Sequence, residues 1–311
     1  MFNSALAPDV VKTAIDLVFN AEFGLDTLPG IATAQTASVF KQSTTDRAAV
    51  IVDQFMGTGY FESRSELQDV PAGTARVGNQ KTFSVTNWAK SIDISKNLMD
   101  DDQHDTISKL IKSTARNGRL TRDKNAFSIL NLGFTTTLTN DGVALIADAH
   151  ITLNGDTVDN KSTATLREDS LDTLFQLLIN QKTQDGTLGG HMPAVLLVPT
   201  ALFKRACEIT KSTLRSSTAN NDLNYYSELY PGLQVLHSPF LGAGFGGSDT
   251  AWFLLSSDHS VTRWVRQDVV TDLVDYKTQR NNNYIYKAEY REVVGAVSYE
   301  GIVGSDGTVA A

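Results

Sequence analysis

Between residues 59 and 97 the chain alternates like a β-ribbon but carries too few apolar side chains to bury one. Phe83 and Val85 alternate with Thr82, Ser84 and Thr86, and Ile92 and Ile94 alternate with Asp93 and Ser95. A period of two is the mark of strands. Pro71-Ala-Gly73 and Val77-Gly-Asn79 read as the turns between them. A lone two-stranded ribbon is marginal in water. The segment is therefore expected to be a long hairpin that lies on another surface, and the rest of the fold must leave room for it.

The surrounding segments supply ordinary core. Residues 8–23 read as a helix, with Pro8 and Asp9 at its start, Gly24 at its end, and Val11, Ala14, Ile15, Val18 and Phe19 at helical spacing. Residues 25–45 are rich in Thr, Ser, Ala and Gln and suit an arm. Asp100-Asp101-Asp102 is expected to open a long helix over 102–131, favoured by three acids at its positive end. A second helix is expected over 166–184, with Thr165 and Glu168 at capping-box spacing. Pro193–Pro199 reads as a short buried strand followed by a helix from Thr200. Further strands are expected at 233–237, 251–256, 261–265, 284–293 and 295–303. Tyr284, Tyr286, Ala288 and Tyr290 share one face of the fourth of these. Helices and strands interleave without a regular strand–helix–strand period, so the class is α+β. No internal repeat is evident.

Charge and cysteine content narrow the function. The chain has 311 residues, with 27 Lys and Arg against 35 Asp and Glu, a formal charge of −8. Such a chain is a poor free-standing nucleic-acid binder, so any such contact must come from a local basic patch. Cys207 is the single cysteine, which excludes an intrachain disulfide and any multi-cysteine metal cluster. No apolar run approaches the ~20 residues of a membrane helix. The first nine residues lack the basic stretch and apolar core of a secretory signal. The expected setting is a cytoplasm.

Few motifs point to catalysis. Gly242-Ala-Gly-Phe-Gly-Gly247 fits the GxGxxG spacing that presents amides to a pyrophosphate. A strand rather than a helix is expected after it, so a loop between strands is the better reading. Asp148 and His150 could share a strand face, but two ligands do not make a metal site. The remaining histidines, His104, His191, His237 and His259, are scattered, and Cys207 falls on an inward helix face. No cofactor is expected. Lys109, Lys112, Arg116 and Arg119 are spaced 3, 4 and 3 and are expected to stack on one helix face, with Arg122 and Lys124 extending it. That row is either a solvated face or a surface turned to a polyanion or to acidic neighbours.

Several blocks in order resemble a known family. Thr139-Asn-Asp141-Gly142-Val-Ala-Leu145 leads to His150, Asn160, Leu166 and Leu171. Pro193-Ala-Val-Leu-Leu-Val-Pro199 is followed by Leu202 and Ala206. Asn220, Asn221 and Asn224 precede Leu233-Gln-Val235, Ser238-Pro239-Phe240-Leu241 and Ser248-Asp-Thr-Ala-Trp252-Phe-Leu254. Together they resemble major capsid proteins of tailed bacteriophages with the Hong Kong 97-type fold, in particular the Mu-like prophage major head subunit group.

The resemblance implies an N-terminal arm over 1–57 and an E-loop hairpin over 58–97. It implies a peripheral (P) domain over 98–185 and 271–311, holding the spine helix at about 102–131, and an axial (A) domain over 186–270. It implies a non-enzymatic subunit of an icosahedral phage head, built from pentamers and hexamers around double-stranded DNA. The implied partners are a separate scaffold protein, a portal and a decoration protein, with assembly in the bacterial host cytoplasm and no membrane. Some relatives crosslink through Lys and Asn; Lys81, Lys90 and Asn281 to Asn283 are present, but nothing in the sequence supports that chemistry. Two alternatives stand: an encapsulin-like nanocompartment shell, and a nucleotide-dependent enzyme using the Gly242–Gly247 loop.

Overall fold

The computed structural model describes residues 8–24, 39–102, 105–214, 223–279 and 282–309. Its helices are α1 (Pro8–Phe23), α2 (Lys96–Asp101), α3 (Thr106–Asn131), α4 (Glu168–Ile179), α5 (Phe203–Lys211) and α6 (Tyr225–Leu229). Its strands are β1 (Lys41–Thr44), β2 (Ala49–Met56), β3 (Arg76–Ser84), β4 (Thr86–Ser95), β5 (His150–Ile151), β6 (Thr157–Val158) and β7 (Lys161–Ala164), then β8 (Pro193–Pro199), β9 (Gln234–Ser238), β10 (Trp252–Ser256), β11 (Val261–Val274), β12 (Asn283–Ala296) and β13 (Ile302–Val309).

Two sheets organise the chain. The first has four strands in the order β1-β11-β12-β4. Ile94, Tyr284, Tyr286 and Ala288 line its covered face and pack against Val11, Ile15 and Phe19 of α1 and Ile107, Ile111 and Ala115 of α3. The second sheet has five strands in the order β7-β13-β10-β8-β9. Both its faces are covered, which is why 193–199 reads as an unbroken apolar run. Leu196, Val198, Trp252 and Leu254 pack towards the Leu171–Leu178 face of α4 and towards α5. Leu197, Phe253 and Leu255 pack towards Ala126, Phe127 and Leu130 at the end of α3. The long helix thus joins two cores, one at each end.

The ribbon differs from its sequence expectation. β3 and β4 follow each other through Val85 without pairing together. β3 pairs antiparallel with β2, from Ala49↔Ser84 to Met56↔Arg76. β4 instead joins the first sheet through a ten-residue register with β12, from Asn283↔Ser95 to Glu292↔Thr86. Val77-Gly-Asn79 is inside β3 rather than at a turn. The hairpin is therefore 49–84, its first strand falls within the stretch expected to be arm, and residues 57–75 form its tip. Of that arm, residues 25–38 lie outside the described residues, as do His104, Asn220, Asn221 and Asn281.

Other boundaries move for local reasons. Asp100 and Asp101 end the short helix α2, and only Asp102 caps the long one, accepting from the amides of Thr106 at 2.9 Å and Ile107 at 3.1 Å. At α4 the expected pairing of Thr165 with Glu168 is replaced: the Arg167 amide donates to Ser170 Oγ at 2.8 Å, and Ser170 Oγ donates to the Thr165 carbonyl at 2.7 Å. β11 runs from 261 to 274, across the expected division at 270, and β13 joins the five-stranded sheet beside β10. The expected strand over 295–303 is split between the ends of β12 and β13.

Candidate assembly surface

The 49–84 hairpin exposes what a folded chain ordinarily buries. Phe61 and Leu67 are fully exposed, and Ile51, Phe55, Tyr60, Val70 and Val77 are mostly so. In β2 the alternation explains this: Gln54 and Met56 turn inward while Ile51, Asp53 and Phe55 turn out. So many large apolar side chains exposed on one element suit a protein–protein contact.

The inner side is held by mostly polar ties to the chain's own turns. Gln54 Nε2 donates to Gln184 Oε1 at 2.7 Å, and Gln184 Nε2 donates to Glu300 Oε1 at 3.2 Å. Burial pushes the Glu300 carboxyl above the ordinary range against the Gln184 hydrogen bond. The Gly59 amide donates to Asp185 Oδ2 at 3.3 Å, and the Leu188 amide donates to the Tyr60 hydroxyl at 2.9 Å. Lys81 Nζ donates to the Leu138 carbonyl, and Asn140 Nδ2 approaches the Val52 carbonyl at 3.5 Å. Lys81 is thus engaged within its own chain. At the root, Phe83 stacks on Trp264 at 5.0 Å. Gly295 makes room for that ring, since a Cβ there would sit 2.2 Å from Phe83 Cε1.

Three turns of one pattern form this cradle. Thr139-Asn-Asp141-Gly142, Thr152-Leu-Asn154-Gly155 and Thr183-Gln-Asp185-Gly186 each close by donation from the Thr amide to the carbonyl four residues on, at 2.8, 2.9 and 2.9 Å. Their glycines have φ of 79°, 92° and 78°, where a side chain would be strained. The T-x-(D/N)-G recurrence was legible in the sequence and is the repeat that periodicity over longer segments misses. Hydrogen bonds from the Thr183 and Thr187 hydroxyls hold the Asp185 carboxyl at about 2. Burial pushes Asp141 up, but hydrogen bonds from His150, Thr139 and the Val143 amide together hold it below its ordinary value. The partner of His150 is Asp141, at 2.7 Å, not Asp148. Among the described residues no group of three His, Cys, Asp or Glu could hold a metal ion.

The basic row divides. Lys109, Lys112 and Arg116 are exposed on α3. Arg119 is 4% exposed and donates from Nη1 to the Glu22 carbonyl at 3.1 Å. It therefore serves the last turn of α1, where a cation meets the helix's negative end. Spacing alone could not separate it from the others, because the face α1 covers is set by tertiary packing. Arg122 is taken inward too, at 3.0 Å from Glu292 and 3.1 Å from Asp268.

The Gly242–Gly247 loop has no free cradle. It passes from β9 through two short 3₁₀ turns into β10. The amides of Gly242, Phe245, Gly246, Gly247 and Ser248 donate to carbonyls of the loop, and that of Ala243 donates to Asp249. No helix follows whose amides could be aimed at a phosphate. Among the described residues no helix is long and apolar enough to cross a membrane.

A mixed fold with an exposed apolar hairpin and a long helix bridging two cores suits a shell-building subunit. The family model described as phage capsid protein matches residues 78–305, and the chain belongs to that family. Solved structures agree on the Hong Kong 97-type fold. The capsid of the native GTA particle has a TM-score of 0.58 at 14% identity, covering 90% of this chain and 93% of that one. A chain of Mycobacterium phage Bobi has a TM-score of 0.54 at 16% identity, covering 92% of each. The virus-like particle from Pyrococcus furiosus has a TM-score of 0.55 at 10% identity, covering 94% of this chain and 98% of that one. A search of curated proteins found no match. The chain is a major capsid protein, a structural subunit of an icosahedral phage head. Family membership goes against the nanocompartment alternative.

Proposed function

We propose that this shell encloses double-stranded DNA and that the 49–84 hairpin is the E-loop through which each subunit holds a neighbour. The observation that carries the reading is the apolar tip, with Phe61 and Leu67 fully exposed in their own chain. The four-stranded sheet with α1 and α3 corresponds to the P domain, and the five-stranded sheet with α4 and α5 to the A domain. On this reading the A domain takes β7, α4 and β13 as well as 186–256, and the P domain takes β11 from residue 261. The subunit has no catalytic role. It is assembled in the host cytoplasm with a scaffold protein, joins a portal, and offers its outer face to a decoration protein. Lys109, Lys112 and Arg116, without Arg119, meet the packaged DNA or acids of a neighbouring subunit. Replacing residues 60–74 by a short Gly-Ser linker tests the hairpin's role and spares β3 and β4, which a cut from 62 to 90 would destroy. A soluble subunit that forms no closed particles by electron microscopy is expected; regular closed particles would overturn the reading.

A further inference from the structure

The root of the hairpin is joined to the body by a line of three polar side chains, of which the innermost is ionisable. Gln54 of β2 is 7% exposed, and Gln184 of the 183–186 turn is 5% exposed. Gln54 Nε2 donates to Gln184 Oε1 at 2.7 Å. Gln184 Nε2 donates in turn to Oε1 of Glu300, which lies between β12 and β13, at 3.2 Å. Gln184 Oε1 also takes the Leu153 amide at 3.3 Å. Gln54 Oε1 is buried without a partner, so the Gln54 side chain is held through Gln184. An ionised carboxyl accepts and cannot donate, so Glu300 turns the NH2 of Gln184 towards itself and the oxygen of Gln184 towards the hairpin.

Burial and the hydrogen bond act on the Glu300 carboxyl with opposite sign. Burial disfavours its charge and the Gln184 bond favours it; burial wins, and the carboxyl is pushed above its ordinary range. The charged groups around it come from three further turns. His191, ahead of β8, favours the carboxylate, whereas Asp185 on the 183–186 turn and Asp258 between β10 and β11 oppose it. The Thr183 and Thr187 hydroxyls hold Asp185 at about 2. Burial pushes Asp258 up, but the Ser256 hydroxyl and His191 together hold it below its ordinary value. Burial pushes the neighbouring Tyr299 hydroxyl well up. Glu300 therefore titrates while Asp185 and Asp258 keep their charge and Tyr299 keeps its proton.

We propose that Glu300 is a proton-operated latch on the hairpin root: the uncharged acid favours the closed line from Glu300 through Gln184 to Gln54, and ionisation favours its opening. The uncharged acid keeps a carbonyl oxygen for Gln184 Nε2, so protonation does not remove the bond. The carboxylate gains water when the line opens. The closed state binds the proton more tightly, so it gains on the open state as pH falls. The root is thus held close in acid and loosens as pH rises from 4.5, the ordinary value, through the raised value of Glu300. Each unit by which the closed state raises that value changes the ratio of closed to open about tenfold. What the loosening does for assembly rests on the E-loop reading above; the latch itself belongs to the single chain.

The test uses the unassembled full-length subunit. Hydrogen exchange of the Leu153 amide and of the Gln54 side-chain NH2, each divided by the intrinsic rate at that pH, is followed by NMR together with the carboxyl carbon shift of Glu300. Protection of both groups is expected to fall severalfold with rising pH, along the Glu300 titration. Glu300→Gln keeps the carbonyl acceptor but does not titrate, and is expected to hold protection at its acid level throughout. Gln54→Leu cuts the line at the hairpin end and is expected to move the Glu300 titration down towards 4.5; a side chain that merely fills space would leave it in place. Flat protection across the titration, or a Glu300 titration unmoved by Gln54→Leu, would overturn the latch and leave the E-loop reading standing. So would a fall that survives in Glu300→Gln and is lost in His191→Gln, which would assign the response to His191. Shells that form normally with the tip replaced by linker would overturn the E-loop reading and leave the latch in place.

Discussion

Glu292 is a carboxylate between two guanidiniums, within 3.0 Å of Arg122 and 2.7 Å of Arg263, and it is where α3 is fixed to β11 and β12. Glu292→Leu leaves the buried Arg263 without its counter-charge and Arg122 with the exposed Asp268 alone. Breaking a buried pair from one side costs about 3–5 kcal/mol, and that loss is expected in denaturant unfolding of the unassembled subunit. His259 sets a pH dependence. Burial first, and Lys41 second, lower its pKa from the usual 6.5 to about 4. Between those values the unfolded chain binds a proton that the folded chain refuses. Stability is therefore expected to fall as pH drops from about 6.5 to about 4, by about 3 kcal/mol in full. Melting curves of the subunit across that range check it, and His259→Gln, whose side chain does not titrate, should flatten the fall. Asp185 acts in a more acidic window, with the same sign. Its carboxyl is held at about 2, so its tie to the Gly59 amide persists from neutral pH down and is lost only as pH falls through about 2. Protection of the Gly59 amide against hydrogen exchange should follow that course.

At the scale of elements, the sequence was most legible where one face is buried and least where pairing partners are far apart in the chain. The helix at 8–23, the run at 193–199 and the Tyr284–Tyr290 face all appear as read, because each states its burial through local period. The ribbon did not, because alternation says that 82–95 is extended but not which strand lies beside it. Its partners, 49–56 and 283–296, are set by the cores at either end of α3. Asp102 was readable as a cap, whereas the break before Thr106 was not. The basic row was visible as spacing, and the burial of Arg119 depends on where α1 docks. The five-stranded sheet gives a direct check. Leu254 is fully buried between β8 and β13, and Leu254→Ala is expected to cost about 2–5 kcal/mol by loss of burial plus the cavity left behind. Calorimetry of the subunit measures it.

At the scale of the whole molecule, charge and shape make separate demands. A chain of net charge −8 that surrounds a polyanion repels it unless cations are gathered where the two approach. Changing Lys109, Lys112 and Arg116 together to Gln is expected to leave empty-shell assembly unchanged and to weaken DNA retention as ionic strength rises. Loss of empty-shell assembly would assign the row to a neighbour's acids instead, and no effect on either would leave it a solvated face.

The passage of the chain through the single residue Val85, from the hairpin into the edge of the four-stranded sheet, has a mechanical consequence. If a neighbour holds the hairpin as proposed, tension on it travels along β3 into β4, whose ten-residue ladder with β12 lies parallel to the load. A ladder loaded lengthwise must yield many rungs together, whereas one loaded crosswise opens a rung at a time like a zip. The joint between hairpin and body is thus stiff against stretching and soft against sideways bending. A shell under internal pressure, which stretches its subunits within the wall, would load it in its strong direction.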